Sequence, residues 1–383
     1  MILHFLLDEK IAEQIISNFE GISSDNKYLV FVKETEKFKY LKDSHQNIIL
    51  FKYEKEDING VVEEFNPTGI ILHAYHLEFA KILLELKYKL KIAWVAWGFD
   101  IYGLPKIKQN IYAPLTDKFL SRKESFLFLK RKLLSNKVLR SLFYFLVKQE
   151  DRYTIVFKSL KKVHFFSTYL KEDYIYFSKY YPNNLGFINC SFTSIDQYLA
   201  GNKDLYNYAD ASNLIIGNSN TPESNHLDVL DKLKHKKLVL SKVFVPLSYG
   251  ENDAYRETVI KQGECCFGDR FEPLLTFMER KQYLDILMSC SVGIFYHYRQ
   301  QAMGNIIAML FLGARIYMYA KSPVYQYLKR NQINVFDFDT DFDTYNYKKL
   351  PKTEVVANRK ILETLFNKDK VNNDLSNLIK LLS

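Results

Sequence analysis

Proline and glycine are scarce in this 383-residue chain, at nine and fourteen residues. With 29 Phe and 28 Tyr beside so little of either, the chain is neither a low-complexity polymer nor disordered, and it can bury large cores. Only four cysteines occur, Cys190, Cys265, Cys266 and Cys290. They show no paired zinc spacing, and the adjacent Cys265 and Cys266 suggest no disulfide framework, so a reduced cytosolic protein is expected. No stretch reaches the roughly 18 uncharged apolar residues of a membrane-spanning helix. The longest candidate, Ile306 to Ala320, contains Arg315. The opening MILHFLLDEK lacks a basic leader and a small-residue cleavage site. It reads as a first strand interrupted by His4, not as a secretion signal.

Acidic residues are also missing from one place. Between Lys118 and Lys148 nine basic residues face a single acid, Glu124, so that segment holds nearly all of the formal +9 charge. Lys130, Arg131, Lys132, Lys137 and Arg140 form its centre, interleaved with Phe126, Leu129, Leu142, Phe145 and Leu146. Within the basic segment from Lys106 to Asp151, SRKESFLFLKRKLLSNKVLRSLFYFLVKQ (121–149) reads as one or two helices. Its basic and apolar mixture suits an interfacial helix pair on an anionic membrane; the alternative is an ordinary solvated helical face. No nucleic-acid recognition motif accompanies it, so no nucleic-acid partner is expected.

Elsewhere short apolar runs alternate with amphipathic helical stretches, which implies parallel sheets covered on both faces, an α/β class. Expected strands in the first half are 2–7, 28–32, 47–51, 69–74, 90–97 and 162–167. Expected strands in the second half are 213–216, 237–245, 292–295, 314–319 and 333–338. The polar stretch Ala200 to Asn213 reads as a linker, giving domains 1–205 and 206–383. In parallel sheets ligands lie beyond the carboxyl ends of strands. That singles out His73 and Asp100 in the first domain. Either is a candidate base toward an acceptor hydroxyl; the plainer alternatives are a structural histidine and a turn carboxylate.

The densest signal is SVGIFYHYRQQAMGNII, from Ser291 to Ile307. A strand, a polar loop and a helix start follow one another, with Gly304 and Asn305 opening the helix. Free amides and the positive dipole end of a helix attract anions, and Arg299 adds a bidentate charge. The alternative is a plain strand-to-helix connection. A second turn, Gly217-Asn218-Ser219, follows the expected strand at 213–216 and can bring backbone amides against a diphosphate or sugar. Tyr249 can stack on a base, and Glu279 can hold a ribose or sugar hydroxyl; a core tyrosine and a helix-start carboxylate are the alternatives. The paired D-x-D patterns at 337–339 and 341–343 read as a solvated acidic turn, so no metal is expected.

Together AWVAWGFDIYGL (93–104), IGNSNTPESNHLDVL (216–230), VPLSYGENDAYRETV (245–259) and MERKQYLDILMSCSVGIFYHYRQQAMGNI (278–306) resemble one family. It is the enterobacterial TDP-Fuc4NAc:lipid-linked-disaccharide Fuc4NAc transferases, the 4-alpha-L-fucosyltransferase family. The pieces occur in the family's order, and the glycine usual after the paired Gln300 and Gln301 is here Ala302. The resemblance implies two facing Rossmann-like domains of the glycosyltransferase B type, with the active site in the cleft and the final helices packing back on the first domain. It implies a deoxythymidine-diphosphate sugar as donor, a polyprenyl-pyrophosphate oligosaccharide as acceptor, no obligatory metal or other cofactor, and a peripheral place on the inner face of the cytoplasmic membrane. Two other readings stay open. One is a B-type transferase using a UDP- or GDP-sugar for capsule or O-antigen. The other is a non-catalytic protein that binds anionic membrane.

Overall fold

The computed structural model describes the chain except residues 34–37, 42–45, 124, 202–211, 251 and 346–348, and omits the side chains of 127, 344 and 345. The linker read at 200–213 therefore falls largely outside the described residues.

Seven strands make the first sheet: β1 (Ile2–Leu6), β2 (Asn26–Val32), β3 (Ile48–Lys52), β4 (Gly69–His73), β5 (Lys91–Val95), β6 (Phe165–Thr168) and β7 (Gly186–Asn189). Their order is β3-β2-β1-β4-β5-β6-β7, and every pairing is parallel. Six make the second: β8 (Asn213–Ile216), β9 (Val243–Pro246), β10 (Phe271–Leu274), β11 (Cys290–Phe295), β12 (Arg315–Met318) and β13 (Phe336–Asp337). Their order is β10-β9-β8-β11-β12-β13, again all parallel. The central strands are apolar on both faces because helices cover both; every residue of β1, β4 and β11 is buried.

Each sheet reverses its strand order once, at β1/β4 in the first and at β8/β11 in the second. Such a reversal sends the two following loops in opposite directions and leaves a crevice between them, which is where ligands bind in these folds. Both candidate loop groups, around His73 and around Gly217 with Arg299, leave their sheets at a reversal point.

The chain forms two compact units that interleave along the sequence. One comprises Met1–Leu104, Asn136–Phe192 and Asp369–Ser383; the other comprises Pro105–Ser135 and Thr193–Lys368. Specific contacts fix each crossing. Residues 105–135 join the second unit through the buried Asp228 carboxylate, which accepts from Leu115 N (2.8 Å), Thr116 N (3.0 Å) and Thr116 Oγ1 (2.7 Å). A carboxylate there satisfies orphan amides at the start of helix Pro114–Lys123. The last helix, Lys368–Leu382, belongs with the first sheet. A Cβ on Gly69 would lie 2.7 Å from Leu382 Cβ, so only glycine admits that approach.

Several elements differ from the pattern in the sequence. Pro105–Lys108 and Pro114–Lys123 lead into the stretch expected as one or two helices, which itself holds two, Ser125–Ser135 and Lys137–Leu146. Asn136 separates the last two because its side chain caps the second, accepting from Val138 N and Leu139 N. Helix Ile58–Phe65 and strand β7 were not anticipated. The strand expected from 237 begins only at Val243, and that expected at 333–338 shrinks to two residues. Among the described residues no helix is long and apolar enough to cross a membrane.

Candidate functional site

The second unit builds its crevice from the loops after β8 and β11. Gly217 leaves β8 with φ +67°, and its amide donates to Ile294 O at 2.9 Å. A Cβ at Gly217 would fall 2.4 Å from His226 Nε2, so the imidazole lies directly beneath the turn. Gln301, in the loop after β11, fastens the two loops together. Its Nε2 donates to Asn218 Oδ1 at 2.8 Å and lies 3.3 Å from Ser219 Oγ. Asn218, Ser219 and Gln301 are thus brought together, and they bond to one another.

Around them several buried polar atoms have no partner: both ring nitrogens of His226 and of His297, Arg299 Nε and Gln301 Oε1. Buried polar groups are almost always satisfied in a folded protein, so this cluster of orphans marks a place for a polar ligand or ordered water. Arg299 Nη1 donates to Gln300 O at 3.1 Å. Burial holds His226 neutral, its pKa pushed down to about 3. His297 lies well below the usual histidine range, first through burial and then through the nearby Arg299 charge and the His226 ring. Neutral imidazoles and a guanidinium supply N–H donors to an anion.

Helix Met303–Leu312 starts here, and Ala302 before it is left-handed at φ 61°. A glycine would adopt this conformation without strain, the physical reason for the glycine expected in its place. Gly304 and Asn305 form the first turn of this helix but border another hollow of about 230 Å³ with Tyr283, Arg280 and Tyr198. Asn305 Nδ2 donates to Tyr283 Oη at 2.7 Å. Glu279 is exposed just before helix Arg280–Ser289. Tyr249 is 67% exposed, and its carbonyl accepts from Asn220 N at 2.6 Å, which sets it beside the Gly217 turn.

The acidic loop is internally occupied. Asp339 pairs with Lys232 and accepts from Tyr296 Oη, and Asp343 pairs with Lys236. Asp337 accepts from Ala320 N, and Asp341 from Asp337 N.

In the first unit Asp100 is buried after β5. Its carboxylate accepts from Trp94 Nε1 (2.7 Å), Tyr75 N (3.1 Å), Trp97 N (3.1 Å) and Ile101 N (3.2 Å). Burial outweighs these bonds and raises its pKa to about 6. His73, at the end of β4, bonds through Nε2 to His4 Nδ1 at 3.0 Å, and its own Nδ1 has no partner. It borders a hollow of about 170 Å³ shared with Trp97, Phe99 and Ile15.

The basic helices differ from their sequence reading. Arg140 is buried and bonds Asp151 Oδ2 at 2.9 Å, while Arg131 pairs with Asp117 and lies over the Tyr112 ring. Neither points to solvent as a lipid-binding cation would. Helix Lys137–Leu146 instead turns apolar side chains outward: Val138 is 74% exposed, Phe145 78% and Leu146 68%. Lys132 and Lys137 are exposed, and Lys130 is half-buried.

Sequence reading missed His4, His226 and His297. The available signals were slight: a polar residue inside an otherwise buried strand for His4, and proximity to strand ends for the other two.

A family profile described as 4-alpha-L-fucosyltransferase, glycosyl transferase group 56, matches residues 134–371. The structure is similar to a sucrose-phosphate synthase from Thermosynechococcus elongatus, with TM-score 0.63, 9% identity, and 100% of this chain and 98% of that chain covered. It is similar to a UDP-forming alpha,alpha-trehalose-phosphate synthase from Burkholderia vietnamiensis, with TM-score 0.61, 10% identity and coverage of 100% and 97%. It is also similar to HepE of Anabaena in complex with UDP-glucose, with TM-score 0.60, 10% identity and coverage of 100% and 99%. At such identities the likeness establishes the glycosyltransferase B-type fold. The family match establishes more: the chain belongs to the 4-alpha-L-fucosyltransferase family, glycosyl transferase group 56, and is a glycosyltransferase.

Proposed function

We propose that this transferase moves a deoxyamino sugar of the Fuc4NAc kind from a dTDP-sugar to a polyprenyl-pyrophosphate-linked oligosaccharide. One observation carries the donor assignment: the unpartnered ring nitrogens of His226, beneath the Gly217 turn, together with those of His297 and with Arg299 Nε. A departing nucleoside diphosphate gains negative charge as the glycosidic bond breaks. Donors fixed in place before the reaction stabilise that charge more in the transition state than in the ground state. Arg299 and the first amides of helix Met303–Leu312 do this without a divalent ion. The acidic loop supports a metal-free site, because its carboxylates already hold lysines and amides.

Tyr249, exposed beside the turn, is proposed to stack on the base, and Glu279 to bond a sugar hydroxyl. Asp100 and His73 serve the acceptor side. The lipid-linked acceptor agrees with helix Lys137–Leu146, whose outward Val138, Phe145 and Leu146 would enter the headgroup region while Lys137 meets anionic lipid. A peripheral position on the inner face of the cytoplasmic membrane is part of the same proposal.

Titration with dTDP and with UDP tests the donor. Stabilisation against heat by dTDP, lost in Arg299→Ala, is expected. Stabilisation by UDP alone would transfer the assignment to a UDP-sugar, the nucleotide bound by the similar Anabaena protein. No response to any nucleotide would refute the donor site.

A further inference from the structure

We propose that the hollow at the β1/β4 reversal receives the acceptor hydroxyl, with His73 Nδ1 as its base and Asn26 and His4 as the groups that fix its proton. The inference rests on the transferase reading above and adds which atom accepts the proton.

Hydrogen-bond bookkeeping assigns each nitrogen in turn. Asn26 Nδ2 donates to Ser23 O at 2.6 Å and Phe19 O at 3.4 Å, so its Oδ1 is the atom turned to His4. That oxygen can only accept, so His4 Nε2, 3.1 Å away, carries a hydrogen. Burial keeps His4 neutral, which leaves its Nδ1 a bare acceptor. His73 Nε2, 3.0 Å from it, must therefore be the N–H. His73, also held neutral by burial, is left with a lone pair on Nδ1 that nothing satisfies. Trp97, which also borders the hollow, has an unpartnered buried donor in its Nε1. A hydroxyl is the ligand that satisfies both, accepting from Trp97 and donating to His73. The Ile15 and Phe99 side chains offer an apolar wall to a sugar face.

Asp100 is the rival base. All four of its bonds come from N–H groups that position the loop after β5, so it serves better as a fastener. In the step itself the acceptor oxygen bonds to the anomeric carbon as the bond from that carbon to the β-phosphate oxygen breaks. The bonding pair leaves on the nucleoside diphosphate. The hydroxyl proton passes to His73 Nδ1, giving an imidazolium whose Nε2–H stays on His4. The titratable groups around the relay are Tyr28 from β2, which packs on His4, Glu9 and His76, which border the hollow, and Asp100.

Nitrogen-15 NMR of the imidazoles reads the tautomers without any activity. Nδ1 of His73 is expected unprotonated at neutral pH; a proton there overturns the relay. With dTDP-Fuc4NAc and a lipid-linked disaccharide, His73→Ala is expected to lower kcat about 100-fold while dTDP binding is retained. Asn26→Asp places a carboxylate beside His4, raises the proton affinity of the pair, and moves the acid limb of the rate profile to higher pH. Should His73→Ala fail to fold, Asn26→Asp carries the test. Wild-type activity in a folded His73→Ala, or an acid limb near pH 6 that Asn26→Asp does not move, overturns the inference and returns the role to Asp100. Loss of dTDP binding in the wild type would instead refute the donor reading and leave the tautomer result standing.

Discussion

A methyl group has opposite consequences at two residues of the donor crevice. Gly217 is left-handed and has an imidazole 2.4 Å from where a Cβ would sit. Gly217→Ala therefore combines backbone strain with a clash and should cost about 2–4 kcal/mol, read by urea denaturation. Ala302 is left-handed as well, at φ 61°, but already carries its methyl. Ala302→Gly removes the strain and should stabilise the fold by up to about 1 kcal/mol, offset in part by the added freedom of the unfolded chain. Unchanged stability in Gly217→Ala would mean the turn is not held over His226. Arg299→Ala should lower transfer by about 10²-fold or more with small loss of stability, because it removes a fixed donor to developing charge. Full activity would remove Arg299 from the diphosphate site.

Among the elements, helix Lys137–Leu146 reverses the usual arrangement. Its arginine is buried on Asp151, while Val138, Leu142, Phe145 and Leu146 face outward. Solvent-facing apolar clusters mark contact sites, and the exposed lysine at its start favours an anionic lipid surface. Phe145→Asp with Leu146→Ser should abolish binding to vesicles containing phosphatidylglycerol, and leave thermal stability unchanged, since both side chains are already in water. Retained vesicle binding would leave the helix an ordinary exposed face. Arg140→Ala should do the reverse, costing about 1–3 kcal/mol by removing a charged partner from the half-buried Asp151 carboxylate, which keeps its bonds to Tyr153 and Thr154. These opposite responses separate the lipid-facing side of the helix from its inward side.

At the scale of the whole molecule, buried histidines set the response to acid. His4 and His226 have folded pKa values of about 3 against 6.5 in the open chain. Below pH 6.5 the unfolded chain binds protons that the folded one refuses. Stability is full above about pH 6.5 and falls, by about 1.4 kcal/mol per pH unit for each of the two, as pH drops toward 3. His73 and His297, lowered in the same direction, steepen the loss. Denaturation midpoints between pH 7 and 5 should therefore decline sharply. A flat profile would mean these rings are hydrated in solution.

The repeated strand-and-helix rhythm was legible because apolar runs in parallel sheets do not depend on distant partners. β4, β5, β8, β11 and β12 were all located to within a few residues from local composition. The Gly217 and Arg299 loops were legible for a related reason: strand ends followed by Gly-Asn-Ser or Arg-Gln-Gln carry their own turn and charge chemistry. The direction in which Arg140 points was not legible, because Asp151 and its own apolar neighbours compete for the same helix face and only packing chooses between them. Nor was the membership of residues 105–135, which depends on Asp228. The sequence by itself determined two α/β sheets, their family and the loops that leave them, since these follow from local periodicity and turn chemistry. Only the tertiary structure decided which nitrogen of His73 is bare and that the His226 imidazole lies under Gly217. Those are facts about partners far apart in the chain, and a residue's own neighbours in sequence do not encode them.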